Sequence, residues 1–501
     1  MKPFFHSARQ TQAIIFILLV IILIFCLVYR QPIFPAPWFD EGLNISAAAQ
    51  IATQGVYALP DSEGARVLDP AIQTGPPVLL PIALAFRLWG VELLVARMVM
   101  IAFAIMTFFA YFWASKTLLP LPGAILAAFF LVIGNREESA SFLYSSRQVL
   151  GEVPALGFLL LGLSFWWKTR EKGNYSWVWA LLAGFSWGLA CITKSQVMLL
   201  FPISLISLAV LDFFYYRQTP IKLYFLALIT ITSCVAVWYL AQYIISGPER
   251  FAENSIILRQ GLQRHVLGLN WHHWKNALRV IWSSGWLAWG APGFIWGIWM
   301  AKDRSSRGYA WASLILFPLI VLGWFIVFSI GWGRYAFFIF AYAPILLAGL
   351  ALFAWDRAKR WRLTLRTAGF STLILIYSLV SGGNFFDQLI HAQGNGFAPL
   401  IHYMQTSLPP DVLVESWAWE VDPFVPQAIH HPTTDITNAY TAKIFSGEPI
   451  PEDLYEPLSK APDYILDGPF SNWTGIYYEV ILNHGKQVAA FGQYTLYQVL
   501  P

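Results

Sequence analysis

Two adjacent carboxylates, Asp40 and Glu41, follow the first long apolar run of the chain. They lie between Trp38-Phe39 and the mainly apolar stretch LNISAAAQIA. Ionisable groups close to hydrocarbon are costly and mark functional sites by default. A partly desolvated carboxylate at this place is suited to accept a proton from a hydroxyl or an amine. A solvated acidic loop is the alternative that the residues alone leave open.

Arg147 and Glu152 are the next candidates, in the segment SRQVLGEVPA. Glu152 supplies a second carboxylate that, together with Asp40, could hold a metal ion or a substrate hydroxyl. A structural salt bridge explains Arg147 equally well.

Three further candidates stand at the ends of apolar runs. Lys194, in GLACITKSQ, either snorkels to the membrane interface or contributes charge to a site. Arg334 and Tyr335, in GWGRYAF, are either an interfacial anchor or a phosphate-binding pair, because the planar fork of arginine matches phosphate oxygens. Acids and cations on one face suggest that a phosphate departs beside an activated acceptor.

His272 and His273, in NWHHWKN, are candidate metal ligands in addition to Asp40 and Glu152. Adjacent histidines on a regular helix rarely point at one ion, and their aromatic neighbours suit a membrane-interface belt. No cofactor is required by the sequence, and a divalent metal remains an open alternative.

The composition indicates the solvent around these residues. The chain of 501 residues is 57% hydrophobic and only 12% charged, whereas soluble domains usually carry about 25% charged residues. The net charge of +4 and the lack of a basic run interleaved with aromatic residues argue against nucleic acid as a partner. Lipid is therefore the expected environment.

Apolar runs of membrane-spanning length predict about eleven transmembrane helices, the first of them retained rather than cleaved. With the N-terminus in the cytoplasm, most basic clusters outside the C-terminal region fall on the cytoplasmic side. This count requires the Pro-Pro segment 75–90 to lie in the interface without crossing. The predicted spans are 12–29, 93–115, 119–135, 150–168, 177–193, 196–215, 222–245, 279–300, 309–330, 335–355 and 366–383.

This topology places the candidate residues on the extracytoplasmic face of a multi-pass protein of the plasma or inner membrane. Residues 1–383 form the predicted membrane domain, with a first extracytoplasmic loop at 30–92. Residues 384–501 are ordinary in polarity and carry short alternating runs separated by Pro and Gly. The predicted fold is thus a polytopic α-helical membrane protein with a small C-terminal extracytoplasmic α/β domain.

The order of these motifs resembles the glycosyltransferase C superfamily, in particular its protein mannosyltransferase and aminoarabinose transferase branch. FDEGLNISAAAQIATQGVYAL resembles the signature first loop, and GPPVLLPIALAFRLWG the juxtamembrane segment. SRQVLGEVPALGFLLLGLSFWWK, GLACITKSQVMLLFPISL and GRYAFFIFAYAP resemble later helices of that family. The likeness covers about residues 12–350 with the order intact.

The resemblance implies a transferase that uses a polyprenyl-phosphate-linked sugar at the outer membrane face, most simply by inverting displacement. It implies Asp40 as catalytic base with Glu41 beside it and Glu152 as the second acid. The set implied for the donor phosphate is Arg147, which would also orient Glu152, with Lys194, Arg334 and Tyr335. The acceptor stays open among glycan, lipid and protein.

Two other classes of function stay open at this stage. A secondary transporter would carry its acids near the middle of spans and show matched halves, and no internal repeat is evident. A membrane scaffold with an outer sensory domain would have its acids exposed and far apart.

Overall fold

A computed structural model describes residues 2–170, 175–358, 369, 372, 377, 383–451 and 454–500, with only the backbone of 2–9, 264, 265, 383 and 384. Long apolar helices occupy most of the first 358 residues, because an apolar segment in lipid must satisfy its backbone hydrogen bonds internally, as a helix does. In chain order these helices are α1 (Lys2–Val28), α2 (Phe39–Gln54), α3 (Pro76–Trp89), α4 (Leu93–Leu118), α5 (Leu121–Ile133), α6 (Phe142–Ser146), α7 (Glu152–Lys168), α8 (Ser176–Thr193), α9 (Ser195–Leu211), α10 (Ile221–Ser246), α11 (Pro248–Gly261), α12 (Trp271–Ser283), α13 (Trp286–Trp289), α14 (Ala291–Ala301), α15 (Ser306–Val327) and α16 (Phe337–Arg357).

Seven helices within the described residues are long and apolar enough to cross a membrane. They are α1, α4, α8, α9 with its π-helical extension, α10, α15, and α16 with the turn that precedes it. The architecture is that of a multi-pass membrane protein, but the predicted number of eleven spans is not confirmed.

Three of the predicted spans do not form a single helix of the predicted length. The runs 119–135 and 150–168 form α5 and α7, with 13 and 17 helical residues. The predicted span 279–300 was wrong as one continuous helix, since it is divided among α12, α13 and α14. Gly285 adopts φ 68° between α12 and α13, a left-handed conformation that ends a helix. The run 366–383 lies almost wholly outside the described residues.

The first long loop folds against the ends of these helices. Helix α2 carries Asp40 and Glu41 in its first turn, where negative charge complements the helix dipole, and ends at Gly55 in the left-handed region. A short antiparallel pair, β1 (Ala58–Leu59) and β2 (Arg66–Val67), follows. The Pro-Pro segment forms α3, which starts with prolines at its first positions, as fits a helix N-terminus. Its 14 residues are too few for an ordinary span, as expected for the segment 75–90.

The C-terminal part is a small α/β domain. Its strands are β3 (Leu413–Ser416), β4 (Ala428–His430), β5 (Tyr464–Asp467), β6 (Gly485–Phe491) and β7 (Tyr494–Val499). They are arranged in the order β4-β3-β5-β7-β6, with β3 parallel to β4 and β5, and β7 antiparallel to β5 and β6. The helices are α17 (Gly383–His391), α18 (Phe397–Ser407), α19 (Thr434–Ser446), α20 (Pro469–Thr474) and α21 (Tyr478–His484).

Helix α2 joins this domain to the membrane part. A Cβ atom added to Gly42 would lie 2.2 Å from the backbone nitrogen of Glu420, so glycine alone permits this approach. Ser46 donates a hydrogen bond to the carbonyl of Trp419 at 3.3 Å. The residues next to Asp40 are therefore packed between both domains.

Candidate active site

Asp40 is the second residue of α2, and its side chain remains 15% exposed. Its Oδ2 atom accepts a hydrogen bond from Arg334 Nη1 at 2.8 Å. Arg334 lies in the 3-10 turn Gly333–Ala336, immediately before α16. The pair thus links the first loop to the start of α16, across a sequence separation of 294 residues.

Arg334 also reaches a second carboxylate. Its Nε atom lies 3.2 Å from Glu152 Oε1, and Lys194 Nζ lies 2.8 Å from the same oxygen. Glu152 begins α7 and is fully buried, while Lys194 stands between α8 and α9 with 2% of its side chain exposed. The four side chains form one chain of ion pairs with two negative and two positive charges, in which each buried charge has an opposite partner.

Backbone pairing fixes the position of Lys194. Lys194 forms an isolated antiparallel bridge with Thr74, and Gly75 donates from its nitrogen to the carbonyl of Thr193 at 3.1 Å. A Cβ atom on Gly75 would overlap the carbonyl of Ile192 at 1.7 Å, so the loop requires glycine here. The first loop therefore carries Asp40 at one end and supports Lys194 at the other.

Glu41 points away from this cluster. It forms a two-point ion pair with Arg97 of α4, with Nε–Oε1 at 2.8 Å and Nη2–Oε2 at 2.6 Å, and both side chains are fully buried. Its Oε1 also accepts from the nitrogen of Val149 at 3.1 Å, and Asn44 donates to the carbonyl of Val149 at 2.7 Å. These contacts bind α2 to the segment before Glu152, and they give no support to a chemical role for Glu41.

Arg97 was missed by the reasoning from sequence. A signal was present, because a charged residue inside the apolar run LLVARMVMIA is a functional or structural marker in a membrane protein. The sequence did not indicate its partner, since Glu41 is 56 residues away.

Arg147 also lies apart from the ion-pair chain. Its guanidinium donates to the carbonyl of Phe34 at 2.6 and 2.8 Å, to that of Tyr29 at 2.8 Å, and to that of Cys26. It thereby caps the end of α1 and the segment after it. None of these contacts reaches Glu152, so the predicted roles of orienting that acid and binding donor phosphate find no support here.

In the described contacts neither His272 nor His273 touches Asp40 or Glu152. His273 Nε2 lies 2.7 Å from Ser446 Oγ, joining α12 to α19, and His272 is exposed. In the described parts of the chain, no group of three or more His, Cys, Asp and Glu side chains could hold a metal ion. Asp40 and Glu152, the two acids proposed as ligands, are bridged by the Arg334 guanidinium. These described residues therefore do not fit a metal site.

A cavity of about 270 Å³ opens beside Asp40. Asp40 and Tyr335 are at its wall, and Tyr335 is otherwise buried against Trp324 and Trp332. The other walls are the loop 68–75, the α8–α9 junction, the end of α10, and helices α11, α19 and α20. The C-terminal domain thus supplies one wall of the cavity, and the membrane helices supply most of the rest.

The comparisons with known proteins agree with this architecture. No protein-family model and no curated protein sequence matches the chain. Among solved structures, ArnT from Cupriavidus metallidurans bound to undecaprenyl phosphate is 13% identical, with a TM-score of 0.63 over 96% of this chain and 97% of that one. The archaeal oligosaccharyltransferase AglB from Archaeoglobus fulgidus, in complex with an inhibitory peptide and a dolichol-phosphate, is 12% identical, with a TM-score of 0.59 over 98% and 74%.

The likeness extends over nearly the whole chain. The chain therefore shares its fold with both of these solved structures, and the fold that the sequence resemblance implied is confirmed. At such low identity the likeness establishes the fold, and activity has to be argued from the site itself.

Proposed function

We propose that the protein is a membrane glycosyltransferase that moves a sugar from a polyprenyl phosphate to an acceptor at the extracytoplasmic face. The observation that carries the proposal is the pairing of the partly exposed Asp40 with Arg334 at the wall of a cavity beside the ends of the membrane helices. A lipid-borne donor would keep its tail in the membrane there and bring its phosphate to the cations. The fold neighbours with bound undecaprenyl phosphate and dolichol-phosphate support this choice of donor.

In the proposed reaction Asp40 is the base. It takes the proton from an acceptor hydroxyl or amine while the acceptor atom bonds to the anomeric carbon of the sugar. The bond between that carbon and the phosphate oxygen breaks, and the polyprenyl phosphate leaves with the electron pair. A single displacement of this kind inverts the anomeric configuration.

Arg334 and Lys194 are the proposed phosphate-binding pair. Preorganised positive charge aimed at a leaving phosphate is usually the largest single contribution to such catalysis. In the described contacts Arg334 uses Nη1 and Nε for the two acids, which leaves Nη2 without a protein acceptor. A donor phosphate that bound Arg334 would weaken its hold on Asp40, so donor binding and the release of the base would occur together.

Asp40→Asn tests the proposal. The assay uses the full-length protein in detergent or proteoliposomes with several donors, each a radiolabelled sugar linked to polyprenyl phosphate. It measures the label that is released from the donor or transferred to an acceptor. A positioned base contributes about 10²–10⁴-fold, so the folded variant should lose about that factor in rate. Asp387→Asn is the matched control, because Asp387 is an exposed carboxylate that pairs only with His391 in the described contacts.

Folding of each variant is checked by size exclusion before the comparison. Equal rates for the wild type and a folded Asp40→Asn would remove Asp40 as the base. Failure of the wild type to bind or cleave any polyprenyl phosphate donor would reject the proposed function as a whole.

A further inference from the structure

One face of α19 points into the cavity beside Asp40. Thr434, Thr437, Asn438 and Thr441 all line the cavity, and their spacing of three, four and seven residues places them on one face of a helix. All four side chains are partly exposed. The C-terminal domain therefore presents a row of hydroxyl and amide groups to the candidate site.

Most of this row has unused hydrogen-bonding capacity. Thr434 donates to Asp69 at 2.6 Å, and Thr437 donates to the carbonyl of Thr433 at 3.2 Å, which leaves the acceptor lone pairs of Thr437 free. In the described parts of the chain, the side chains of Asn438 and Thr441 have no hydrogen-bond partner in the protein. This arrangement suits a ligand that both donates and accepts hydrogen bonds.

Gln196 faces the same cavity from the membrane helices. It is 7% exposed, and neither its amide nitrogen nor its amide oxygen has a partner among the described residues. A buried polar group without a partner costs about 1–3 kcal/mol, so such groups call for a specific explanation. A polar ligand in the cavity would satisfy this side chain.

The charge of the wall limits which ligand fits. The described residues lining the cavity include Asp40 and Asp69 but no lysine, arginine or histidine. Lys194 and Arg334 are not among these lining residues, and the proposed function assigns both to the donor phosphate. A phosphorylated or acidic acceptor would therefore find no second cation along α19 and would meet the Asp69 carboxylate there.

The cavity wall also lacks an exposed strand edge of the kind that usually binds an extended peptide. Peptides commonly bind along the edge of a sheet, where their backbone groups pair with a strand. No described residue that lines this cavity belongs to a strand. The groups presented are side-chain hydroxyls, amides and aromatic rings.

Aromatic rings form an arc along the cavity. The arc begins at Phe39, which precedes Asp40 in sequence, and ends at Trp332, whose ring contacts Arg334. Phe39 stacks on Phe470 at 4.1 Å, and Phe470 lies 5.7 Å from Trp473. Trp473 is 45% exposed, so part of its ring is free to contact a ligand. Flat aromatic faces next to precise polar groups are the usual composition of a small-molecule site.

The second half of the arc extends from Trp473 to Arg334. Phe445 lies 5.8 Å from Trp473 and 5.7 Å from Trp332, and the Arg334 guanidinium lies 5.1 Å from the Trp332 ring. Sugar rings present C–H groups on their faces and hydroxyls on their edges. Such a ring could contact the arc with its face and reach α19 and Gln196 with its hydroxyls.

We infer that the acceptor is an uncharged carbohydrate, bound between α19, Gln196 and the arc of Trp473, Phe445 and Phe470. This inference rests on the proposed function, in which Asp40 activates a hydroxyl of the acceptor. The carbohydrate hydroxyl nearest Asp40 then loses its proton to Asp40 and receives the sugar.

The first arm of the test measures binding without turnover. Asp40→Asn protein of full length is mixed with neutral trisaccharides of glucose, galactose and mannose, and saturation-transfer NMR reports contact with the sugars. At least one trisaccharide should bind, and Thr437→Val, Asn438→Ala or Thr441→Val introduced into that protein should weaken its binding at least tenfold. Thr406→Val is the matched control, because Thr406 on α18 donates to the carbonyl four residues earlier, as Thr437 does, but does not line the cavity.

The second arm measures transfer by the otherwise wild-type protein. Acceptors are the neutral trisaccharides, a phosphorylated disaccharide lipid and a short peptide containing Asn-X-Thr. Label should pass to a neutral carbohydrate, and the α19 substitutions should raise its KM at least tenfold, whereas Thr406→Val should leave that KM unchanged. Transfer only to the phosphorylated lipid or the peptide, or an unchanged KM, would overturn the inference and leave the proposed function intact.

The two arms separate the possible failures. If no donor is bound or cleaved but trisaccharide binding depends on α19, the proposed function fails and the carbohydrate site stands. If no trisaccharide binds in the first arm, the carbohydrate site is wrong whatever the donor assay gives.

Discussion

Asp40 and Glu41 are adjacent in sequence, yet their carboxylates end in separate ion pairs that serve different parts of the structure. Asp40 is partly exposed and pairs with Arg334 at the cavity, whereas Glu41 is fully buried and pairs with Arg97 of α4. Successive residues of a helix lie about 100° apart, so neighbours cannot share one face. One carboxylate is thus available to a ligand, and the other anchors the helix that presents it.

Glu41→Gln should reduce stability. The change leaves the Arg97 guanidinium buried without its charged partner, and breaking a buried pair in this way costs about 3–5 kcal/mol. Thermal unfolding in detergent should show a clearly lower midpoint than the wild type. Asp40→Asn should change the midpoint much less, because Arg334 keeps its ion pair with Glu152.

A double variant checks the cause. Arg97→Met combined with Glu41→Gln removes both charges and should recover part of the lost stability, as expected for two residues in direct contact. If the double variant is less stable than Glu41→Gln by the full effect of Arg97→Met alone, the two residues are not coupled.

Arg147→Gln separates a structural role from donor binding. The guanidinium donates to three carbonyls at and after the end of α1, so its loss leaves buried acceptors unsatisfied at about 1–3 kcal/mol each. The variant should unfold at a lower temperature, while its affinity for a polyprenyl phosphate stays within about twofold of the wild type. A large loss of donor affinity without a loss of stability would restore the phosphate-binding prediction.

The sequence predicted the parts of this site that depend on local pattern. The spacing of motifs identified Asp40, Glu152, Lys194 and Arg334, which the structure joins in one chain of ion pairs. Apolar run length predicted most helices, and alternation with Pro and Gly predicted the small C-terminal α/β domain. These signals are local because helix formation and burial in lipid are set by consecutive residues.

Other features depend on long-range pairing and were not predicted. Glu41 and Arg147 were grouped with the candidate site because they belong to the same motifs as Asp40 and Glu152, and only the fold reveals their partners. The cavity wall on α19 lies in a segment that carried no sequence signal, and its Thr434 contacts Asp69, another lining residue that is 365 residues earlier in the chain. The break at Gly285 was hidden by the continuous apolar composition around it.

Gly42→Ala should detach the C-terminal domain from α2. A Cβ atom there would overlap the backbone of Glu420 and Trp419 at 2.2–2.4 Å, and backbone atoms cannot move aside as a flexible side chain can. Overpacking of this kind costs about 1–3 kcal/mol or more. We expect faster proteolytic release of the C-terminal domain and a loss of transfer, with the membrane part still folded.

Gly323→Ala is the matched control for this change. Gly323 lies within α15, and a Cβ atom there would meet no other atom within 4 Å. Its proteolysis pattern should equal that of the wild type. The same pattern for Gly42→Ala would mean that the two domains can separate slightly at α2 without further consequence.

Glu420 gives this domain contact a dependence on pH. Burial raises the pKa of Glu420 to about 7, against an ordinary value of 4.5, and the nearby Glu41 carboxylate adds to the rise. Glu420 Oε1 accepts from the Tyr494 hydroxyl at 3.0 Å, while Oε2 is buried without a partner in the described residues. Because the folded protein holds this proton more tightly than the unfolded chain does, the favourable contribution is complete below pH 4.5 and is lost as pH rises through 7.

Glu420→Gln should isolate that contribution, because glutamine resembles the protonated acid. At pH 4.5 the variant and the wild type should unfold at nearly the same temperature. At pH 8 the variant should be more stable, by at most roughly 3 kcal/mol, since each unit of pKa shift corresponds to about 1.4 kcal/mol. A difference in unfolding midpoint that stays constant between these two pH values would mean that Glu420 is ionised in the folded protein throughout, and that its unpartnered oxygen is hydrated.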